Sequence, residues 1–260
     1  MATQIIPVGE QLRTWRTRRR RSQLDLALDV EISARHLSFL ETGRSRPSRG
    51  MLLRLAERLK VPPRERNRLL VAAGFAPAHA ERPLDHPELA AARAAVELVL
   101  KAHEPFPAIA VDRHWHLVAA NAGLAPLLGG VASWLLEAPV NVLRLSLHPE
   151  GVAPRIRNLA VWRGHILARL EQQIEASGDP VLASLLDELR SYPGDTATGD
   201  ASHGGVAVPL VLDTAIGELS FLGTTTVFGT PVDVTLSELA IEAFLPADQR
   251  TMDALVGGKA

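Results

Sequence analysis

The chain has 260 residues, 47% of them hydrophobic, which is enough apolar material for packed cores in two domains of ordinary size; with no cysteine it has no disulfide, thiolate metal site or thiol nucleophile. Its apolar runs are too short for a membrane span and its N-terminus lacks the apolar core of a signal peptide, so no membrane association and a cytoplasmic location are expected. The formal charge of −1 hides a division: residues 1–80 carry 16 Lys+Arg against 7 Asp+Glu, the rest 12 against 22, which suggests a basic module for a polyanion joined to an acidic module with another task.

In chain order, Leu12, Trp15 and the basic run Arg18 to Arg21 make a first helix. Ser22 is an N-cap for a second helix that opens at Gln23 and carries Leu24, Ala27 and Leu28 on one side. A turn at Val30 to Ile32 leads to Ser33, a second N-cap, and a third helix, Ala34 to Glu41, that buries Leu37 and Leu40 and ends at Gly43. Two further helices, about 49–59 and 63–73, complete a five-helix bundle with Leu52, Leu55, Leu59, Leu69 and Leu70 in its core.

Two short helices at this spacing meet the geometric need of a DNA-binding helix-turn-helix: the exposed start of the third helix enters the major groove while the second crosses the backbone. Ser33, Ala34, Arg35, His36 and Ser38 lie at that start. Arg35 is the best candidate for reading a base, since an arginine can bond guanine bidentately, while His36 and Ser38 offer less selective hydrogen bonds. Gln23, at a helix start, suits a phosphate, and Arg44 and Arg46 lie where the DNA backbone should pass again. The segment SQLDLALDVEISARHLSFLETGRSRP (Ser22 to Pro47) resembles the XRE, or lambda-repressor-like, family, with SQ opening the second helix, IS before the third and LETGRSRP after it. Glu31 departs from it, standing where the family usually has glycine in the inter-helix turn, and should be somewhat strained.

Gly74 to Pro87, rich in proline and small residues, reads as an extended connector. The expected division is a helix-turn-helix domain over 1–75, a linker over 76–87, a second domain over 88–250 and a tail over 251–260. After a helix at 88–101, AIAVDRHWHLVAAN reads as strand, turn, strand, and then Asn121 as the cap of a helix from Ala122. NVLRLSLHPEG, residues 152–177 and residues 179–191 read as helices, and VAVPLVLDT, GELSFLGTTTVFGTP and DVTLSELAIEAFLP as three more β-rich segments. The fold class expected is α + α/β with two domains, the second a five-stranded antiparallel sheet with helices on one face, a layout that commonly encloses a small-molecule cavity.

PFPAIAVDRHWHLVAANAG, NVLRLSLHPEGVAPRIRN and FGTPVDVTLSELAIEAFLPAD, in that order, resemble the MmyB-like ligand-binding domain found behind XRE helix-turn-helix domains. The resemblance implies a PAS-like sensor and, from a relative with an acyl chain in its pocket, a fatty acyl ligand. Such a ligand needs a long apolar cavity with one polar anchor, for which Arg144 is the candidate, with Trp115 and Trp162 as cavity walls and Asn121 and His148 as further polar candidates. His114 and His116 share one strand face, a spacing that permits a metal without demanding one, and no metal or other cofactor is expected. No P-loop, G-x-G-x-x-G, G-x-S-x-G or HExxH motif is present, so no enzyme is expected. The expectation is a one-component transcriptional regulator that binds operator DNA as a homodimer and senses a small apolar or amphipathic molecule; the rival is a DNA-binding protein whose acidic domain is a protein-interaction or dimerisation module, and a continuous cavity between the sheet and the Ile156 to Ile174 helix would tell them apart.

Overall fold

A computed structural model describes residues 6–197, 208–229 and 233–257, and the chain divides into two compact units. One takes in the residues up to Arg82 together with Asp233 and Val234. It holds five helices: α1 (Val8–Arg18), α2 (Gln23–Asp29), α3 (Ala34–Glu41), α4 (Arg49–Arg58) and α5 (Pro63–Ala72). Ser22, Ser33 and Ser48 each accept a hydrogen bond from the backbone N–H three residues on, at 3.1, 3.1 and 3.2 Å, which satisfies one of the donors that a helix start leaves orphaned. The core gathers Leu12, Trp15, Leu26, Leu37, Leu40, Leu52, Leu55, Leu59, Leu69 and Leu70.

The rotation of α2 differs from the expected one. Leu26, Ala27 and Val30 are buried, while Leu24 and Leu28 are exposed at 59% and 66%. The reason is polar: the Gln23 amide donates to Glu41 Oε2 at 2.8 Å, so Gln23 faces α3 and the stripe continuing through Ala27 and Val30 turns inward with it. Glu31 takes φ 58°, the left-handed conformation that the inter-helix turn requires. Residues 78 and 79, expected in an extended connector, fold back on α5. Their backbone N–H groups donate to Asn67 Oδ1 at 2.9 and 3.0 Å, and Asn67 Nδ2 donates to the His79 carbonyl at 2.9 Å.

In the other unit, from Pro83 onward apart from Asp233 and Val234, α6 (Ala90–Ala102) precedes the hairpin β1 (Ala108–Val111) and β2 (Leu117–Ala120). Then come α7 (Val142–Leu147), α8 (Leu159–Ser177), α9 (Pro180–Ser191), β3 (Pro209–Thr214), β4 (Gly217–Val227), α10 (Val234–Ser237), β5 (Ala240–Pro246) and α11 (Gln249–Gly257). The five strands form an antiparallel sheet in the order β2-β1-β5-β4-β3. Strand β1 is buried on both faces, which explains its unbroken apolar run. Ala108 and Ala110 meet Val96 and Leu100 of α6, whereas Ile109 and Val111 join the larger core with α7, α8 and α9. Helices therefore lie on both faces, not one.

Two further expectations change. Ala122–Leu128 is a 3-10 helix interrupted by Pro126, and Asn121 does not cap it. Instead its amide accepts from Ala108 N at 3.0 Å and donates to the Leu100 and Phe106 carbonyls at 3.0 and 2.8 Å, tying α6 to β1. The expected C-terminal tail is helix α11 over its described residues, opened by Asp248, which accepts from Thr251 N at 2.7 Å, and held to β4 by Thr251, fully buried and accepting from Ser220 N at 2.9 Å. Residues 206 and 207 of the expected strand segment VAVPLVLDT, 230 and 231 of GELSFLGTTTVFGTP, and 258–260 of the tail lie outside the described residues.

Candidate functional sites

At the start of α3, Arg35 is exposed, and Ala34, His36 and Ser38 are half-buried beside it. Ser33 spends its hydroxyl oxygen on the cap. The guanidinium groups of Arg35 and Arg44 both lie against Phe39, 5.3 and 5.9 Å from its ring centre, an arrangement that holds two cations near the helix end at little entropic cost. Arg46 is exposed further along the same loop. Beneath this surface Glu41, buried, accepts from Arg16 Nε at 2.6 Å, Arg16 Nη2 at 2.9 Å and Gln23 Nε2, locking α1, α2 and α3 together. Gln23, expected on a phosphate, is half-buried and spends one amide hydrogen on Glu41. Of the basic run, Arg18 stacks on Trp15, Arg19 donates to the Leu59 carbonyl at 3.0 Å and caps α4, and Arg21 pairs with Asp29 at 2.6 Å.

The second unit has a cavity of about 590 Å³, open on one side, between the sheet and α8, within the range of small-molecule sites. Ile109, Leu117, Leu210 and Phe244 wall it from the sheet, Leu124, Leu127, Leu143 and Leu145 from the connecting helices, and Trp162 and Ile166 from α8. Trp115 lines it from the β1–β2 turn, where φ 66° and a bond from its Nε1 to Gln173 Oε1 at 2.8 Å fix the ring.

The charged residues of the cavity wall are paired with each other. Arg169 Nη1 and Nη2 donate to Glu242 Oε2 and Oε1 at 3.0 and 2.7 Å, Nη2 donates to Thr225 Oγ1 at 2.9 Å, and the guanidinium lies over Trp115, 4.7 Å from the ring centre. His165, one turn earlier on α8, also lines the cavity; crowding by protein and the nearby Arg169 lower its pKa, so the ring is neutral at pH 7. Arg169, Glu242 and Thr225 were not named from the sequence. The available signals were the α8 stripe Trp162, His165, Ile166, Arg169 and a glutamate, Glu242, at an inward position of an apolar strand.

Of the expected ligand residues, Trp115 and Trp162 line the cavity, and Asn121, Arg144 and His148 do not. Arg144 donates to both oxygens of Glu188 at 2.6 and 2.7 Å. These hydrogen bonds hold the Glu188 carboxyl below its usual range, while burial and Glu188 push the Tyr192 phenol up. His148 sits edge-on between Trp134 and Tyr192, with ring centres 4.9 and 5.0 Å away. Asn141 caps α7, accepting from Leu143 N and Arg144 N at 3.2 and 3.1 Å. Asp112, His114 and His116 bring three potential metal-ligand atoms within 4.8 Å of one another, but each is already bonded: His114 Nε2 to Asp179 Oδ2 at 2.9 Å and His116 Nδ1 to Asp112 Oδ2 at 3.1 Å. Among the described residues no helix is long and apolar enough to cross a membrane.

A helix-turn-helix unit followed by a domain with a cavity of small-molecule size defines a transcription regulator with a ligand-sensing domain. Residues 92–256 match the model of the MmyB-like transcription regulator ligand binding domain, and residues 7–69 match that of a helix-turn-helix domain. The chain belongs to the MmyB-like transcription regulator family. Both matched families are regulatory, not enzymatic. No curated protein matches the chain.

Proposed function

We propose that the protein is a one-component, XRE-type regulator that binds operator DNA as a homodimer in the cytoplasm and changes its DNA affinity when a small apolar or amphipathic molecule, built on a chain of fatty-acyl type, fills the cavity of its second domain. The observation that carries this reading is the cavity itself, which lies between the sheet and α8 and is lined mostly by apolar side chains. A protein-interaction module would need no such space. The domain boundaries that go with this reading are a DNA-binding domain over 1–75, a connector, and a ligand domain over 88–250. The homodimer follows from the reach of a recognition helix: one helix reads a few base pairs, and two placed about 34–36 Å apart on one face of the duplex add both affinity and specificity.

The test is to select operator DNA from a random library with the full-length protein, then to identify by denaturing extraction and mass spectrometry any molecule that copurifies, with a buffer and a control-protein extract alongside. Expected are a two-fold symmetric site, two protomers per site, and one small molecule per protomer whose removal shifts operator affinity. A monomer bound one-to-one to DNA, or a cavity that takes up no apolar compound, would support the interaction-module reading instead.

Arg35, Ala34, Ser38 and His36 are the proposed base-facing residues, with Arg44 and Arg46 on phosphate. Arg35→Ala is expected to relax sequence preference at one operator position by about 1–3 kcal/mol, and Arg44→Ala to lower the salt slope of binding by about one. Competition binding against single-base operator variants at several salt concentrations separates the two; uniform weakening across all variants on loss of Arg35 would place it on phosphate instead.

A further inference from the structure

Resting on the reading of the cavity as a ligand site, we infer that Leu127 is the partition that sets how long a ligand chain the site accepts, and that a groove on its far side is an extension of the cavity which a smaller side chain would open. The groove, of about 350 Å³, lies in the same unit between the 3-10 helix Ala122–Leu128, the β3–β4 turn and α11. Among the described residues that line the two spaces, Leu127 is the one common to both. Cavity and groove follow one another along one face of the sheet. Side chains alternate along a strand, so the inward positions of β3 are Leu210 and Leu212, in the cavity wall, and then Thr214, in the groove wall. On β4 they run from Thr225 and Gly223 in the cavity, through Phe221, to Leu219 in the groove. Successive inward positions are about 7 Å apart, so the groove lies one step beyond the cavity on β3 and two on β4.

Apolar side chains fill the stretch between the two. Leu127, 6% exposed, belongs to the same buried cluster as Leu212, Leu219 and the fully buried Phe221. The segment that carries Leu127 is held at two points: Arg155 Nη2 donates to the Leu127 carbonyl at 2.6 Å, and Gly123 packs so closely that a Cβ there would press on the Pro105 carbonyl oxygen. Its backbone therefore stays in place when the Leu127 side chain is shortened. A chain that fills the cavity meets Leu127 at this end, and further methylenes leave by the open side and bury nothing. With Leu127 cut back to alanine they enter the groove, where Ile216, Leu219, Ala254 and Leu255 offer an apolar wall. Each methylene taken out of water is worth about fourfold in affinity.

The experiment titrates full-length protein and its Leu127→Ala variant with decanoate, dodecanoate, tetradecanoate and hexadecanoate, each below its aggregation concentration, and follows tryptophan fluorescence, since Trp115 and Trp162 line the cavity. The preference for hexadecanoate over decanoate is expected to be at least about tenfold greater in the variant than in the unaltered protein. A folded variant with an unchanged preference would overturn the inference. A second measurement needs no variant: hexadecanoate carrying a photoactivated diazirine at its chain end is cross-linked to the unaltered protein and the labelled peptides are identified. Labels are expected on the cavity wall and not on Ala254 or Leu255 of α11. Labelling of α11 in the unaltered protein would show that Leu127 is no partition, whether or not the variant folds. If none of the four compounds binds, the ligand-site reading fails as well; tight binding with the wrong chain-length response leaves that reading standing and removes only the role of Leu127.

Discussion

Replacing Glu41 with alanine is expected to unfold most of the helix-turn-helix unit and to abolish DNA binding, although Glu41 itself is buried away from the DNA-facing surface. Its side chain is 1% exposed and is the acceptor for both Arg16 and Gln23. Taking it away leaves the Arg16 guanidinium, 11% exposed, without a counter-charge, a loss of about 3–5 kcal/mol for a broken buried pair. A unit of roughly seventy residues holds only about 3–10 kcal/mol in total, so the deficit is comparable with everything that keeps the three helices together. Thermal melting of the full-length protein by circular dichroism should show a low-temperature transition that the unaltered protein lacks, and operator binding should fall with it. Glu41→Gln, which keeps an acceptor for Gln23, should lie between the two. The double replacement Arg16→Met with Glu41→Met should recover much of the loss, because two apolar side chains leave no charge behind. A Glu41→Ala protein that melts within about 1 kcal/mol of the original would show that the pair is not what fixes these helices.

The two sites differ in how much of them the sequence made legible, and the difference follows from the range of the interactions that build them. The bounds of α3, its cap at Ser33 and the exposed Arg35 could be read directly because a cap bonds three residues away. The strained turn at Glu31 was legible for the same reason. The rotation of α2 was not, since it is set by Gln23 meeting Glu41 eighteen residues later. In the second unit the strands and their order along the chain came from alternation and turn residues, and Trp115 and Trp162 were named as walls of an expected apolar cavity. The anchor did not. Arg144 sits in the quoted family segment but finds Glu188, 44 residues on, while the cation that reaches the cavity, Arg169, finds Glu242, 73 residues on. Which arginine meets which glutamate is decided by sheet register and helix packing, and neither is written locally. The short helix α11 was missed because its apolar stripe is brief and its cap, Asp248, reads equally well as a turn residue.

Gly223→Phe should empty the cavity of ligand while leaving the fold intact, and so separates sensing from folding. Gly223 lies in β4 opposite Phe244, two residues before Thr225, on the face that lines the cavity. Its backbone is not in the left-handed region, and a Cβ built there would meet no atom within 4 Å. The glycine is therefore not required by the strand; it leaves space. Gly223 is exposed, so an aromatic ring here occupies open space along the cavity wall, and phenylalanine is favoured over glycine in a strand. Gly151 is the contrasting position, where a Cβ would press on the Leu145 carbonyl oxygen, so Gly151→Ala should destabilise the domain. The expected outcome for Gly223→Phe is a melting temperature equal to or above that of the original, loss of fluorescence-detected binding of apolar compounds, and an operator affinity fixed at one value whatever is added. Unchanged ligand binding by a folded Gly223→Phe protein would place the ligand elsewhere. A variant that binds no ligand but still shifts its operator affinity on adding the compound would show that the response does not pass through this cavity.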